Sequence, residues 1–182
     1  MQACTYHAAM LTPPEAEKLI SENLTPFHRE DCALASAHGR VLRADVAADR
    51  DLPPFDRVTM DGYALRASSL AEGRRTFCIG GVQAAGMLAF KLGAGADACI
   101  EVMTGAVLPD GADCVVPYEE TEREGTGMTF IGSAVPIAGS AVHRRGSDHR
   151  AGDVMIRAGT RLTGREIAVA AACGHGVLTV SQ

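Results

Sequence analysis

The sequence predicts an α+β protein in which a discontinuous helical module, residues 1–49 and 140–182, carries an inserted, mostly-β domain at 50–139. Three observations predict it. Helix-start signals followed by apolar residues at helical spacing stand near both ends, at Thr12 and at Thr163. Between them lie short apolar runs cut by Gly-rich and Pro-Asp-Gly turns, the texture of an all-β module. The first change of regime falls at Asp51-Leu52-Pro53-Pro54-Phe55-Asp56, which cannot be helical because its prolines lack donors and force the preceding residue to extended angles. An insertion accounts for this helical, β, helical order most simply.

Thr12-Pro13-Pro14-Glu15 has the form of a capping box with proline in the first turn, and Ala16, Leu19, Ile20 and Leu24 then recur on one helical face until Pro26 ends the helix. A second short helix is expected from Ser36 to Val46, with Val41, Leu42 and Val46 as its apolar stripe and Gly39 as its weak point. Beyond the proline loop, strand-like runs cover Tyr63 to Leu65, Thr76 to Ile79, Ala98 to Met103, Cys114 to Glu122 and Met128 to Ile131. Gly125-Thr126-Gly127 reads as a hairpin connection and Pro109-Asp110-Gly111 as a turn. A basic stretch, Val142 to Arg150, precedes a strand at Asp153 to Ile156. Thr163-Gly164-Arg165-Glu166 is the second capping box, and its helix runs through Ile167, Ala170 and Ala171 to a left-handed cap at Gly174.

Composition narrows the function. Hydrophobic residues make up 47% of the 182, ample for a core, but aromatics only 4%, so base stacking is not its business. Seventeen basic against twenty-two acidic residues give a net charge of −5, which opposes general binding to nucleic acid or an anionic membrane. The six cysteines, at 4, 32, 78, 99, 114 and 173, form no C-x-x-C pair and sit in apolar stretches, as reduced core thiols do. No apolar run is long enough to span a bilayer, and no positively charged leader precedes one, so a cytoplasmic protein is expected.

Three polar stretches stand out. In Thr59-Met60-Asp61-Gly62-Tyr63-Ala64 an aspartate precedes a glycine that permits close backbone approach, although Asp61 could equally cap a turn. Thr104-Gly105 closes a strand and could equally be structural. In the third, Arg144, Arg145 and Arg150 are expected to surround Asp148, a local reversal of sign that marks an anion site. His143 and His149 read as solvated surface residues. Nucleophile elbows, Walker loops and dinucleotide fingerprints are all lacking.

Asp51 to Ala64, Ile100 to Val116, and Arg144-Arg145-Gly146-Ser147-Asp148 with Ala158-Gly159-Thr160-Arg161-Leu162 resemble, in order and spacing, three sequence blocks of the molybdopterin molybdenumtransferase family, the bacterial relatives of the gephyrin E domain. The resemblance implies an elongated homodimer that inserts molybdate into adenylylated molybdopterin with Mg²⁺, releasing AMP, among the other proteins of the molybdenum cofactor pathway. It implies that Asp61 is the essential aspartate and a Mg²⁺ ligand, Thr104 the cleft threonine able to donate to an oxyanion, and Asp148 the acidic residue of the third block. In complete members, the strand resembling Gly176 to Val180 leads into a pterin-binding domain that these residues do not include. The chain is therefore expected to be the front part of such an enzyme, inactive alone; the alternative is a non-catalytic dimerisation or interaction module of the same fold.

Overall fold

The computed structural model describes residues 10–25 and 27–182. Helix α1 (Pro13–Asn23) starts as expected: the backbone N–H and the hydroxyl of Thr12 both donate to Glu15 Oε2 at 2.8 Å. It ends one residue before Leu24, while Pro26 and Cys4 lie outside the described residues. None of its residues is buried, and Leu19 and Ile20 face solvent. Among the described residues no helix is long and apolar enough to cross a membrane.

One core is built from both ends of the chain. Strand β1 (Arg29–Ala33) pairs antiparallel with β12 (Val177–Ser181), and β2 (Val46–Ala47) with β11 (Val154–Ile156). Helix α3 (Gly164–Ala172) closes over them, and Leu42, Val46, Ile156, Leu162, Ala170 and Val180 meet beneath it. The second capping box forms, with Thr163 N–H donating to Glu166 Oε2 at 2.9 Å, and Gly174 takes the left-handed φ of 81° that ends the helix.

The helix expected over Ser36 to Val46 is not there. The chain makes a single 3₁₀ turn, Leu34–Ser36, then runs extended through isolated bridges of Val41 to Arg161 and Leu42 to Val180. Gly39, at φ 83°, breaks the helical path. The N–H groups of Leu42 and Arg43 then find the carbonyls of Thr160 and Thr179 at 2.9 and 2.8 Å instead of those four residues back. Val41 is 36% exposed and Leu42 1%, an alternation of period two that a three-residue apolar stripe concealed.

The intervening chain forms a six-stranded sheet in the order β7-β4-β6-β5-β9-β8, where β4 is Gly62–Leu65, β5 Thr76–Gln83, β6 Ala98–Val102, β7 Cys114–Pro117, β8 Thr121–Glu124 and β9 Gly127–Phe130. Only β5 and β6 run parallel. Both faces are covered. Tyr63, Leu65, Cys99, Cys114 and Val116 enter one cluster together with Leu70 of the short helix α2 (Ala67–Ala71), while Ala64, Ile100, Val102 and Val115 enter another. The apolar run expected from Cys114 to Glu122 is broken after Pro117, because the N–H of Tyr118 bonds the Asp61 carbonyl at 3.2 Å and a 3₁₀ turn, Tyr118–Glu120, redirects the chain. The hairpin at Gly125-Thr126 joins β8 to β9, with Glu124 opposite Gly127.

A seam joins the two structures. Strand β3 (Arg57–Val58) pairs with β10 (Val142–His143), setting His143 opposite Arg57. The proline loop runs beside it, with Leu52 N–H on the His149 carbonyl at 2.8 Å and Gly146 N–H on that of Pro53 at 3.0 Å.

Candidate functional site

Asp61 and Thr104, far apart in sequence, meet because β4 and β6 are antiparallel neighbours with Gly62 opposite Val102. The residue just before one strand then lies beside those just after the other. Asp61 Oδ1 accepts the Thr104 N–H at 2.6 Å and its hydroxyl at 2.7 Å. The backbone donor first, and then the hydroxyl, hold the Asp61 carboxyl below its usual range, so it is an anion at neutral pH. Glycine at 62 is a steric requirement: a Cβ there would lie 2.0 Å from the Val116 carbonyl oxygen. Gly105, at φ 87°, lets the chain turn directly after Thr104.

The contact also defines what Thr104 can do. Its single hydroxyl proton is committed to Asp61, which leaves lone pairs, so the donation to an oxyanion expected of Thr104 is not what this arrangement offers. The pair is an acceptor surface suited to a cation or to a metal-bound water.

Beneath it lies a polar cluster that sequence reasoning missed. Glu101, 8% exposed within the otherwise apolar strand β6, accepts the Tyr118 hydroxyl at 2.7 Å and Arg123 Nη1 at 2.8 Å. Tyr63 packs edge-on against Tyr118, with ring centroids 5.4 Å apart. Burial, and then the hydrogen bond to Glu101, raise the Tyr118 phenol, which stays protonated and donating. A lone acid among Ala98, Cys99, Ile100 and Val102 was the available signal, since a buried carboxylate requires partners.

The basic loop is arranged differently from the expectation. Arg144 Nη1 donates to Asp56 Oδ2 at 2.6 Å, and the Arg145 N–H to Asp56 Oδ1 at 2.9 Å. Arg145 Nε donates to Asp51 Oδ2 at 2.7 Å, and the Arg150 N–H to Asp153 Oδ2 at 2.7 Å. The Ala151 N–H, and then Arg145, lower the Asp51 carboxyl; the Arg145 N–H, with Arg144 behind it, lowers that of Asp56. Arg144 and Arg145 thus neutralise the aspartates of the proline loop, and Arg144, Arg145 and Arg150 do not encircle Asp148. Asp148 instead lies 2.8 Å from His143 Nε2, whose other nitrogen, Nδ1, is 3.1 Å from Arg57 Nη2. Arg57, which sequence reasoning passed over, lines a cleft of about 270 Å³ with Val58, Thr59, Thr104 and Gly105.

For Mg²⁺ the fit is partial. Among the described residues no three His, Cys, Asp or Glu side chains gather as a cage. Asp61 Oδ2 carries no hydrogen bond among them and can serve as a single ligand, as Mg²⁺ accepts when waters and substrate oxygens fill the remaining positions. Cysteines 32, 78, 99, 114 and 173 are free, and burial pushes the thiols of Cys99 and Cys114 up to about 12, so those two are inert core groups.

The α+β fold that brings these residues together is that of solved molybdopterin biosynthesis proteins. The solved structure of such a protein from Pyrococcus horikoshii superposes with a TM-score of 0.84 at 30% identity, over 92% of this chain and 45% of that one. The family model for the MoeA N-terminal region (domain I and II) matches residues 11–174, and the chain belongs to that family. The molybdopterin molybdenumtransferase of Synechocystis is 36% identical over 173 residues, covering 95% of this chain and 44% of the relative. That of Haemophilus influenzae is 32% identical over 167 residues, covering 91% and 40%. The chain therefore spans less than half the length of the relatives it matches.

Proposed function

We propose that this chain supplies the Asp61–Thr104 wall of a molybdopterin molybdenumtransferase active site, in an enzyme that inserts molybdate into adenylylated molybdopterin and releases AMP. The observation that carries the reading is the Asp61 carboxylate, exposed, ionised and aimed by both donors of Thr104 from two rigid strand ends. Mg²⁺, held in part by Asp61 Oδ2, would supply positive charge against the phosphate and molybdate oxygens. Asp61 would present its free carboxylate oxygen to that cation, Thr104 fixes the carboxylate rotamer, and Gly62 keeps the backbone close enough for both.

The pterin-binding domain is the complementary wall, carried on a longer polypeptide or a partner subunit, and the reaction belongs in the cytoplasm beside the other proteins of the cofactor pathway. The separation of the chain-end core from the two clusters on the faces of the six-stranded sheet supports a division into a module of 1–49 and 140–182 and an insert of 50–139. Homodimerisation is the second part of the proposal, and α1 supports it: an amphipathic helix with no buried residue leaves Leu19, Ile20 and Leu24 uncovered. The same helix favours the alternative, a dimerisation module without chemistry. Fusing the chain to the remaining segment of the Synechocystis relative, in cells lacking their own transferase, separates the two. Restored molybdoenzyme activity is the expected result; a folded fusion that dimerises but restores none leaves only the module.

A further inference from the structure

The seam between β3 and β10 places a cation where the sequence marked none. Arg57, Val58 and Thr59 alternate exposed, buried, exposed, so Arg57 and Thr59 share the outward face while Val58 fills the core. Val58 and Thr59 are fixed by the carbonyls of Ala106 and Ala141 at 2.9 and 3.1 Å, and the N–H of Gly105 returns to the Val58 carbonyl at 2.9 Å. Three segments distant in sequence are thereby laced into one floor, and the cleft above it is lined by Arg57, Thr59 and Thr104.

The polarity of the chain behind Arg57 follows from which groups can donate. A guanidinium has no acceptor, so in the 3.1 Å contact Arg57 Nη2–H is the donor and His143 Nδ1 the acceptor. With Nδ1 as the acceptor, Nε2 carries the hydrogen that is donated to Asp148 Oδ1 at 2.8 Å. Among the described residues Arg57 forms no salt bridge, in contrast to Arg144 and Arg145. Asp148 reaches it only through the imidazole, which aims the guanidinium without cancelling its charge. Four of its five N–H donors remain for the cleft.

Resting on the proposed function for the identity of the site, we propose that Arg57 is the oxyanion-binding residue of this cleft, taking a tetrahedral dianion, either free molybdate or a phosphoryl group of the substrate, with Thr59 as second donor. His143 and Asp148 are positioning residues that act through Arg57. The division of labour is chemical: Asp61 and Thr104 present acceptors to a cation, and Arg57 and Thr59 present donors to the anion beside it.

The test uses the 182-residue chain with arginine Nε–Hε and amide NMR signals followed during titration with sodium molybdate, inorganic phosphate or chloride at equal ionic strength and fixed Mg²⁺. The Arg57 side-chain signal and the amides of Thr59 and Gly105 should move saturably with a dianion. R57Q, with an amide spectrum as dispersed as the parent's, should bind about tenfold more weakly. H143L should lose a similar factor, while H143Q, which can accept from Arg57 and donate to Asp148, should stay within about threefold of the parent. Tighter binding of molybdate than phosphate points to the free oxyanion, and the reverse to a phosphoryl group. The proposal is overturned if R57Q titrates like the parent, if the dianions do no better than chloride, or if H143Q is as impaired as H143L. A fusion that is active while Arg57 binds nothing removes this role alone; an inactive fusion with intact anion binding removes the transferase reading alone.

Discussion

At the end of β4 a single carboxylate, Asp61, takes two donors from Thr104 and keeps its charge for the solvent, whereas at residues 143–150 Arg144 and Arg145 are bound to Asp56 and Asp51 and Asp148 to His143. Both loops are polar, glycine-bearing and exposed. They differ in what stands opposite. The Asp61 turn faces another strand end that offers the hydroxyl and N–H of Thr104 and no charged side chain, so among the described residues Asp61 forms no ion pair. The basic loop faces the proline loop, whose two aspartates consume the charge of two arginines. A run of charge in sequence therefore indicates a ligand site only when the segment folded against it does not already carry the complement.

The largest effect expected on the Asp61 side is structural. Gly62→Ala places a methyl against the Val116 carbonyl between two paired strands, and the sheet cannot part without losing ladder bonds, so a loss of roughly 3 kcal/mol or more is expected in urea unfolding. A midpoint within error of the parent would mean that β4 and β7 are less tightly joined than described.

Asp61→Asn should act on chemistry and not on the fold. Asn retains the acceptor oxygen for Thr104 but not the charge, so the thermal midpoint should hold while molybdate insertion by the fusion falls on the order of a hundredfold. Near-parental insertion would reduce Asp61 to a turn residue, and a collapsed midpoint would do so from the other side.

Tyr118→Phe tests the support beneath the pair. It removes one of two donors to the buried Glu101 while keeping the ring against Tyr63, and should cost about 1.5–3 kcal/mol of stability. A neutral result would show that Arg123 alone satisfies Glu101.

Elements whose signals are local were legible in the sequence: both capping boxes, the Gly125-Thr126 hairpin and the cap at Gly174 depend on residues within four positions of one another. Elements decided at long range were not. The segment after Gly39 is extended because Thr160 and Thr179 offer carbonyls from the far end of the chain. Asp61 and Thr104 were each conspicuous, but their contact depends on the β4–β6 register, which no window of sequence contains. Arg57 was hidden for the same reason, since its partner, His143, lies elsewhere in the chain, whereas Glu101 was marked locally as the lone acid of an apolar strand.

The smallest effect concerns the charge-consuming side and distinguishes backbone from side-chain capture. The Asp56 carboxyl is lowered first by the N–H of Arg145 and only then by the Arg144 guanidinium. A carboxyl depressed on folding stabilises above its unfolded pKa of about 3.9 and loses that contribution as pH falls through the lower folded value. The stability gap between parent and Asp56→Asn should thus be full at pH 7 and close progressively below about pH 4; screening keeps it under about 1 kcal/mol. Asp51 and Asp61 are lowered too, but they titrate in both proteins and cancel in the difference. High salt should remove only part of the gap at pH 7, because the short backbone contact is less screened than the exposed guanidinium pair. A gap abolished by salt would make Arg144 the principal holder of Asp56, and one unchanged down to pH 3 would show that the loop is held by shape and not by charge.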